Sequence, residues 1–263
     1  MRSLIVVRGG DKSLHMQWWC KPEDRTYDIA LSYFGDNTEY WKDKCDYFHP
    51  CKGSNWEGLS DFVNKNWELI NKYDYVWFPD DDLWMHQKDL ECYLELCREQ
   101  GFVISQPALM KGSFYSWEIT LQNRFTEYRE TDFVEVMAPC FKVEDFNLFA
   151  ATFSENTSGW GLEWLWWKIA KEHLRNKFAI VDKVAMLHTR EVGVANSGGA
   201  KKSPHQELNE LLEKYGLVKS APRNLMLKKN ILLLIEQILP IKPIKKYCHR
   251  HLRKGIYSSK RSM

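Results

Sequence analysis

Long apolar runs are missing from this chain: no stretch of 18 apolar residues occurs in its 263, which excludes a transmembrane helix of ordinary length. The opening Met-Arg-Ser-Leu-Ile-Val-Val-Arg-Gly-Gly has only four apolar residues in a row and no small-residue cleavage site, so no secretory leader is expected. The seven cysteines (20, 45, 51, 92, 97, 140 and 248) include no C-x-x-C pair. That argues against zinc held by paired thiolates and for a reducing, cytosolic setting. Neither a G-x-G-x-x-G fingerprint nor a Walker P-loop is present, so a dinucleotide site of that type is not expected. With nine prolines and 44% hydrophobic residues the chain is neither disordered nor of low complexity, and its length suits one large domain, or one with an appendage.

Charge is present, but unevenly. The net value of +2 hides an acidic body, with 26 basic and 34 acidic residues in 1–222, and a basic end, with 11 Lys and Arg in 223–263 against the single acid Glu236. Within that end, Ile231 to Leu239 reads as a short apolar helix stopped by Pro240 and Pro243, followed by Lys245, Lys246, Arg250, Arg253 and Lys254. The tail 223–263 is therefore expected either to meet an anionic membrane surface, each cation adding about 1 kcal/mol, or to dock on the body. Nucleic acid is not expected as a partner, because the acidic body repels phosphates. Twelve tryptophans add stacking faces suited to sugar rings or bases, though aromatics also simply fill cores.

Strand patterns alternate with helical ones. Leu4–Val7 runs into Gly9-Gly10, Asp28–Tyr33 ends at Gly35-Asp36, and Tyr73–Pro79 is rich in β-formers. Helical spacing covers 57–72 and about 87–100, with a strand at 102–104. Further strands are expected at 134–138, 178–181 and 184–187, and helices at about 143–153 and after Glu163. This order predicts an α/β fold with a mixed, mostly parallel, Rossmann-like sheet flanked by helices over 1–222, with ligands at the strands' carboxyl ends.

The strongest chemical signal is Asp80-Asp81-Asp82 at the end of an apolar strand. Three adjacent carboxylates repel unless a cation neutralises them, and residues i and i+2 share a face, so Asp80 and Asp82 suit Mn²⁺ or Mg²⁺. A plain helix N-cap needs only one such acid. In Gly159-Trp160-Gly161-Leu162-Glu163, the glycines allow close backbone approach, Trp160 offers a stacking face and Glu163 is placed to take a proton from a hydroxyl. His188 follows a strand and suits a third metal ligand. Arg190 and the lysines of the glycine-rich 193–204 stretch, Lys202 among them, suit a diphosphate. Arg8, Gly9 and Asp11 lie where a nucleotide would enter the first strand's end.

Taken together, these features resemble the nucleotide-sugar glycosyltransferases of the GT-A fold. More closely, several segments resemble an uncharacterised bacterial and plant family catalogued as a domain of unknown function. They are Leu4–Asp11 with Ser13-Leu14-His15, Ser32–Asp36, Tyr73–Asp82, Ser105–Ala108, Glu135–Pro139 and Gly159–Glu163, covering roughly residues 1–195. The resemblance implies that Asp80 and Asp82, completed by His188, hold Mn²⁺ or Mg²⁺ on a donor diphosphate. It also implies that Glu163 is the catalytic base, in a motif similar to Gly-Trp-Gly-Gly-Glu-Asp of galactosyltransferases, although Trp164 stands here where a second acid would follow.

The expected function is therefore metal-dependent transfer of a sugar from a nucleoside diphosphate sugar, a UDP-sugar foremost, to a glycan or lipid-linked acceptor in surface polysaccharide synthesis, with inversion. Asp81, Arg8, Gly9, Asp11, Arg190 and Lys202 would serve the donor, and Trp160, Gly161 and Pro139 the acceptor. The enzyme is expected in the cytoplasm or peripherally on the inner membrane face. Two other readings stay open: a glycan-binding protein without turnover, which would not need three acids, and a sugar nucleotidyltransferase, which would use a nucleoside triphosphate.

Overall fold

The computed structural model describes residues 2–173, 175, 177–191 and 202–229. Met1–Lys229 forms one compact unit. The apolar tail helix, the basic cluster and Lys201 lie outside the described residues, as does most of the glycine-rich stretch.

In chain order the elements are β1 (Ser3–Gly9), β2 (Tyr27–Tyr33), α1 (Thr38–Trp41), β3 (Tyr47–Pro50), α2 (Asn55–Lys65), α3 (Trp67–Ile70), β4 (Tyr75–Trp77), β5 (Leu83–Trp84), α4 (Gln87–Gln100) and β6 (Ile104–Leu109). They continue with β7 (Thr126–Thr131), β8 (Cys140–Lys142), α5 (Val143–Phe146), α6 (Leu162–Glu172), β9 (Phe178–His188), α7 (Pro204–Tyr215) and β10 (Asn224–Lys229). The sheet order is β10-β7-β9-β6-β8-β4-β1-β2-β3, with β5 paired to β9. The pairings make β7 and β8 antiparallel to the rest, so seven of these nine strands run the same way.

Two apolar layers cover the two faces, and β1 shows why. Ile5 and Val7 belong to one layer, with Trp18, Trp77 and the α4 residues Leu90, Tyr93 and Leu94. Leu4 and Val6 belong to the other, with Trp56 and Phe62 of α2, Leu165 and Trp166 of α6, and Phe141, Phe146 and Phe153. A strand apolar on both sides, alternating with period two, can only be interior to the sheet. Local signals set the helix ends: Ser54 and Glu57 form a reciprocal capping box at the start of α2, and Gly101 closes α4 in the left-handed conformation at φ 64°. Deeper in the sheet, Arg129 of β7 grips Asp182 of β9 with Nε and Nη2 at 2.8 and 2.9 Å, while Thr126 donates to the same carboxylate. This buried pair has all its acceptors occupied, which offsets the cost of desolvating it.

The structure departs from the expectations at definite places. The 57–72 helix breaks at Asn66, whose φ of −122° separates α2 from α3. Residues 134–138 form a turn rather than a strand, because the Glu135 N–H is taken by the Gln106 side chain at 2.6 Å instead of a neighbouring strand. The 143–153 helix divides into α5 and a 3-10 turn over Ala150–Ser154, and 178–188 is one strand rather than two. The strand expected at 102–104 runs from Ile104 to Leu109. The sheet also continues past residue 222: Asn224–Lys229, expected as the start of the tail, pairs antiparallel with β7.

Candidate active site

Residues 78–82 leave the sheet at the carboxyl end of β4, beside the carboxyl end of β1, where Arg8 and Asp80 form a parallel bridge. The turn is pinned from three directions. From the β1 side, Gly10 N–H donates to the Asp81 carboxylate at 3.1 Å and Leu14 N–H to the Asp81 carbonyl at 2.7 Å. From the β8 side, the Asp80 N–H donates to Met137 O at 2.8 Å and Phe78 N–H to Pro139 O at 2.9 Å. From the β9 side, both the backbone N–H and the hydroxyl of Thr189 donate to Asp82 O, while Leu83 pairs with His188.

The three aspartates therefore face different partners. Asp80 accepts from the Asn55 amide at 3.0 Å. Asp81 pairs with Arg190 at 2.7 Å, and Arg190 also donates to Lys12 O. Asp82 Oδ2 lies 3.3 Å from His188 Nε2, and its Oδ1 is buried with no hydrogen-bond partner. His188 Nδ1 donates to Phe114 O at 2.8 Å, which leaves Nε2 to face Asp82. A carbonyl that fixes one nitrogen orients the imidazole so that the other is the one to ligate a metal, the orienting contact usual for a metal-ligating histidine. Burial, then the neighbouring Asp82 charge, pushes the Asp80 carboxyl up to about 8. Burial likewise raises Asp81 despite Arg190. For His188, burial acts downward, but the hydrogen bond and charge of Asp82 outweigh it and the imidazole is raised. Crowded carboxylates that resist ionising, with an orphaned buried oxygen among them, fit a hard divalent cation.

Among the described residues, one group of three potential ligands lies wholly within 4.8 Å: His49, Cys51 and Asp61. Asp80, Asp82 and His188 do not converge that tightly. The His49 group, however, is a hydrogen-bonded network: Asp61 accepts from His49 and Lys65, both at 2.8 Å, and Arg8 donates to the Cys51 carbonyl. Its setting is cationic, which opposes a metal.

The Gly-Trp-Gly turn sits on α2 and α7. Glu207 of α7 accepts from the backbone of Thr157 and Ser158 and from the Thr157 hydroxyl, holding the turn's entry. Gly159 and Gly161 have φ of 79° and 98°. A Cβ on Gly159 would lie 2.0 Å from Trp56 Nε1, and one on Gly161 2.7 Å from Leu211 Cδ2. Replacing Gly159 by alanine combines backbone strain with overpacking, and is expected to cost about 3 kcal/mol. A urea midpoint within experimental error of the parent's would refute that account. Glu163 is 5% exposed, and its carboxyl accepts the N–H of Gly161 at 3.0 Å, with the Val136 N–H also turned toward it. Burial raises it to about 7, against the backbone N–H groups of Glu163 itself, Gly161 and Val136. A carboxyl poised there can take a proton at neutral pH.

The other expected residues are placed as follows. The buried Arg8 guanidinium donates to the carbonyls of Cys51 and Gly53, with weaker bonds to Ser32, so it ties β1 to the loop after β3 in place of the diphosphate contact expected for it. Gly9 is buried, and a Cβ on it would come within 2.8 Å of Ser13 Oγ. Asp11 accepts from the Tyr33 hydroxyl, from Trp41 Nε1 at 3.0 Å and from the Asp36 N–H at 3.3 Å, which fixes the loops after β1 and β2. Trp160 stands edge-on to His205 at 5.0 Å. Lys202 pairs with Glu210 of α7. Pro139 is buried beside the acid turn. Glu135, absent from the sequence expectations as a site residue, is 4% exposed and has an unpartnered Oε2. Its only signal in the sequence is an acid inside the apolar run Phe133-Val134-Glu135-Val136-Met137.

The family model described as "Protein of unknown function (DUF707)" matches residues 27–132. No curated protein sequence matches the chain. Among solved structures, GalNAc-T7 with UDP, GalNAc and Mn²⁺ is similar at 12% identity and a TM-score of 0.59, over 81% of this chain and 48% of that one. TarS residues 1–349 of S. aureus, solved alone and with UDP-GlcNAc, is similar at 11% identity and a TM-score of 0.50, over 82% of this chain and 72% of that one. The chain thus spans about half the length of the GalNAc-T7 chain. Strand order, acid turn and these neighbours agree on one conclusion: the fold is GT-A-like, as in glycosyltransferases.

Proposed function

We infer that the protein transfers a sugar from a nucleoside diphosphate sugar, a UDP-sugar foremost, to a glycan or lipid-linked acceptor, with inversion. The observation that carries this reading is the pair Asp82–His188, carrying an orphaned buried oxygen, at the mouth of a GT-A-like sheet. Asp80, Asp82 and His188 would hold Mn²⁺ or Mg²⁺. When bound, the ion neutralises charge on the departing diphosphate.

The chain's own groups supply the rest. Glu163, oriented by the Gly161 N–H, accepts the proton of the acceptor hydroxyl. The hydroxyl oxygen bonds to the anomeric carbon from the face opposite the diphosphate, whose own bond to that carbon breaks. Arg190, which follows β9 and pairs with Asp81 of the acid turn, suits the diphosphate. Asp11 orders the loop that would border the nucleotide, and Pro139, Trp160 and Gly161 border the acceptor side. Residues 230–263 would hold the enzyme near a lipid-linked acceptor at the inner membrane face, as in capsule or lipopolysaccharide synthesis. No helix among the described residues is long and apolar enough to cross a membrane.

A thermal-shift panel of UDP, GDP, CMP and dTDP sugars, with and without Mn²⁺, tests this. At a hundred times its Kd a ligand stabilises by about 2.7 kcal/mol, which raises the midpoint of a domain of this size by roughly 5–10 °C. The expected result is a rise with a UDP-sugar plus Mn²⁺ and little with either alone. A flat response to every nucleotide would sink the reading.

A further inference from the structure

Glu135 lies in a five-residue segment that ties the base to the acid turn. The next residue, Val136, turns its N–H toward the Glu163 carboxyl, and Met137 O accepts the Asp80 N–H at 2.8 Å. The Glu135 backbone itself is anchored, its N–H to Gln106 Oε1 at 2.6 Å and its carbonyl to the Ala138 N–H at 3.3 Å. Its side chain is 4% exposed, yet Oε2 has no hydrogen-bond partner. A buried carboxyl oxygen left orphaned costs free energy unless something else completes it. The bonds that hold the segment run through the Glu135 backbone and leave Oε2 unused.

On the reading given above, the sugar to be transferred sits between the acids that take the diphosphate and the base that faces the acceptor, and Glu135 occupies that interval. We propose that Glu135 is a sugar-positioning residue, whose free Oε2 accepts a hydrogen bond from a hydroxyl of the donor sugar. The electrostatics agree with the placement: burial first, then the charge of Glu163, holds its proton up to about 8, with His188 and Asp80 also felt. Ser116, which acts on this carboxyl in the lowering direction, comes from the segment whose Phe114 carbonyl orients His188. The inference rests on the glycosyltransferase reading but assigns a contact that the acid turn and the Gly-Trp-Gly motif do not contain.

The test measures affinity rather than turnover. The full chain with Mn²⁺ is titrated with UDP, UDP-GlcNAc, UDP-GalNAc, UDP-glucose and UDP-galactose, for the parent protein and for Glu135→Leu, Glu135→Gln and Glu135→Asp. At least one sugar nucleotide should bind the parent more tightly than UDP. Glu135→Leu should weaken that nucleotide at least tenfold while leaving UDP within twofold, and Glu135→Gln, which keeps an acceptor oxygen in place, should recover it to within threefold. If the leucine variant does not fold, Glu135→Asp carries the test, since its carboxyl falls one methylene short. Equal loss of UDP and sugar nucleotide, unchanged sugar-nucleotide binding in the variants, or no gain from any sugar in the parent overturns the proposal. Failure of the parent to bind UDP at all is read on the parent alone, and overturns the glycosyltransferase reading and this inference with it.

Discussion

Asp82→Ala is expected to abolish the Mn²⁺ dependence of UDP binding and to lower donor turnover by about 10³-fold, the several kcal/mol of charge stabilisation that a divalent ion supplies. The same change should leave the unliganded protein close to the parent's stability, because losing an orphaned acceptor offsets losing the His188 contact. Asp82 is 8% exposed with one orphaned oxygen, and removing it relieves an unsatisfied buried acceptor. The combination separates a functional acid from a structural one, for which stability would fall. Calorimetric titration with Mn²⁺ and UDP, alongside assay of UDP release, reads both. Metal affinity within twofold of the parent's would refute the role assigned to Asp82, whatever happened to turnover.

Glu163→Gln should lower transfer by about 10²–10⁴-fold, the range for a positioned general base, with UDP affinity unchanged. The amide keeps the shape of the carboxyl, though not its capacity to accept a proton. Because a base works deprotonated and this one is raised to about 7, activity of the parent should climb as pH rises through 7, and the residual activity of the variant should not. Stability carries the opposite sign. The folded state holds this proton more tightly than the unfolded chain, so the unliganded protein loses stability as pH rises from the ordinary carboxylate range through about 7. Asp80 and Glu135, both up to about 8, extend the loss in the same direction. In Glu163→Gln the part of that slope below pH 7 should flatten. A parent whose activity is level from pH 6 to 8 would exclude Glu163 as the titrating base.

The sequence displays the parts of this fold whose cause is local. β1 and β2 are apolar runs ended by glycine, α4 has helical spacing from Gln87 and a glycine stop after Gln100, and the acid turn follows an unmistakable apolar strand. What it does not display depends on distant partners. β8 is only Cys140–Lys142, and it is a strand because β4 and β6 flank it on either side. Val134–Ala138 alternates like a strand and is none, because Gln106, about thirty residues earlier, supplies the acceptor for its backbone. The same holds within the site. Asp82 and His188 are each visible as residue types, but their meeting depends on β5 pairing with β9. Asn55 and Glu135 acquire meaning only through the atoms they face.

The final strand of the described body has a consequence for handling the protein. β10 covers β7 with Leu225, Met226 and Leu227 each about half exposed. A chain shortened at residue 222, where composition suggests the globule ends, would strip that cover and leave a bare row of amide and carbonyl groups along β7. Such a margin templates aggregation. A cut after Lys229 keeps it clothed, so the choice of those seven residues separates a soluble preparation from a precipitate.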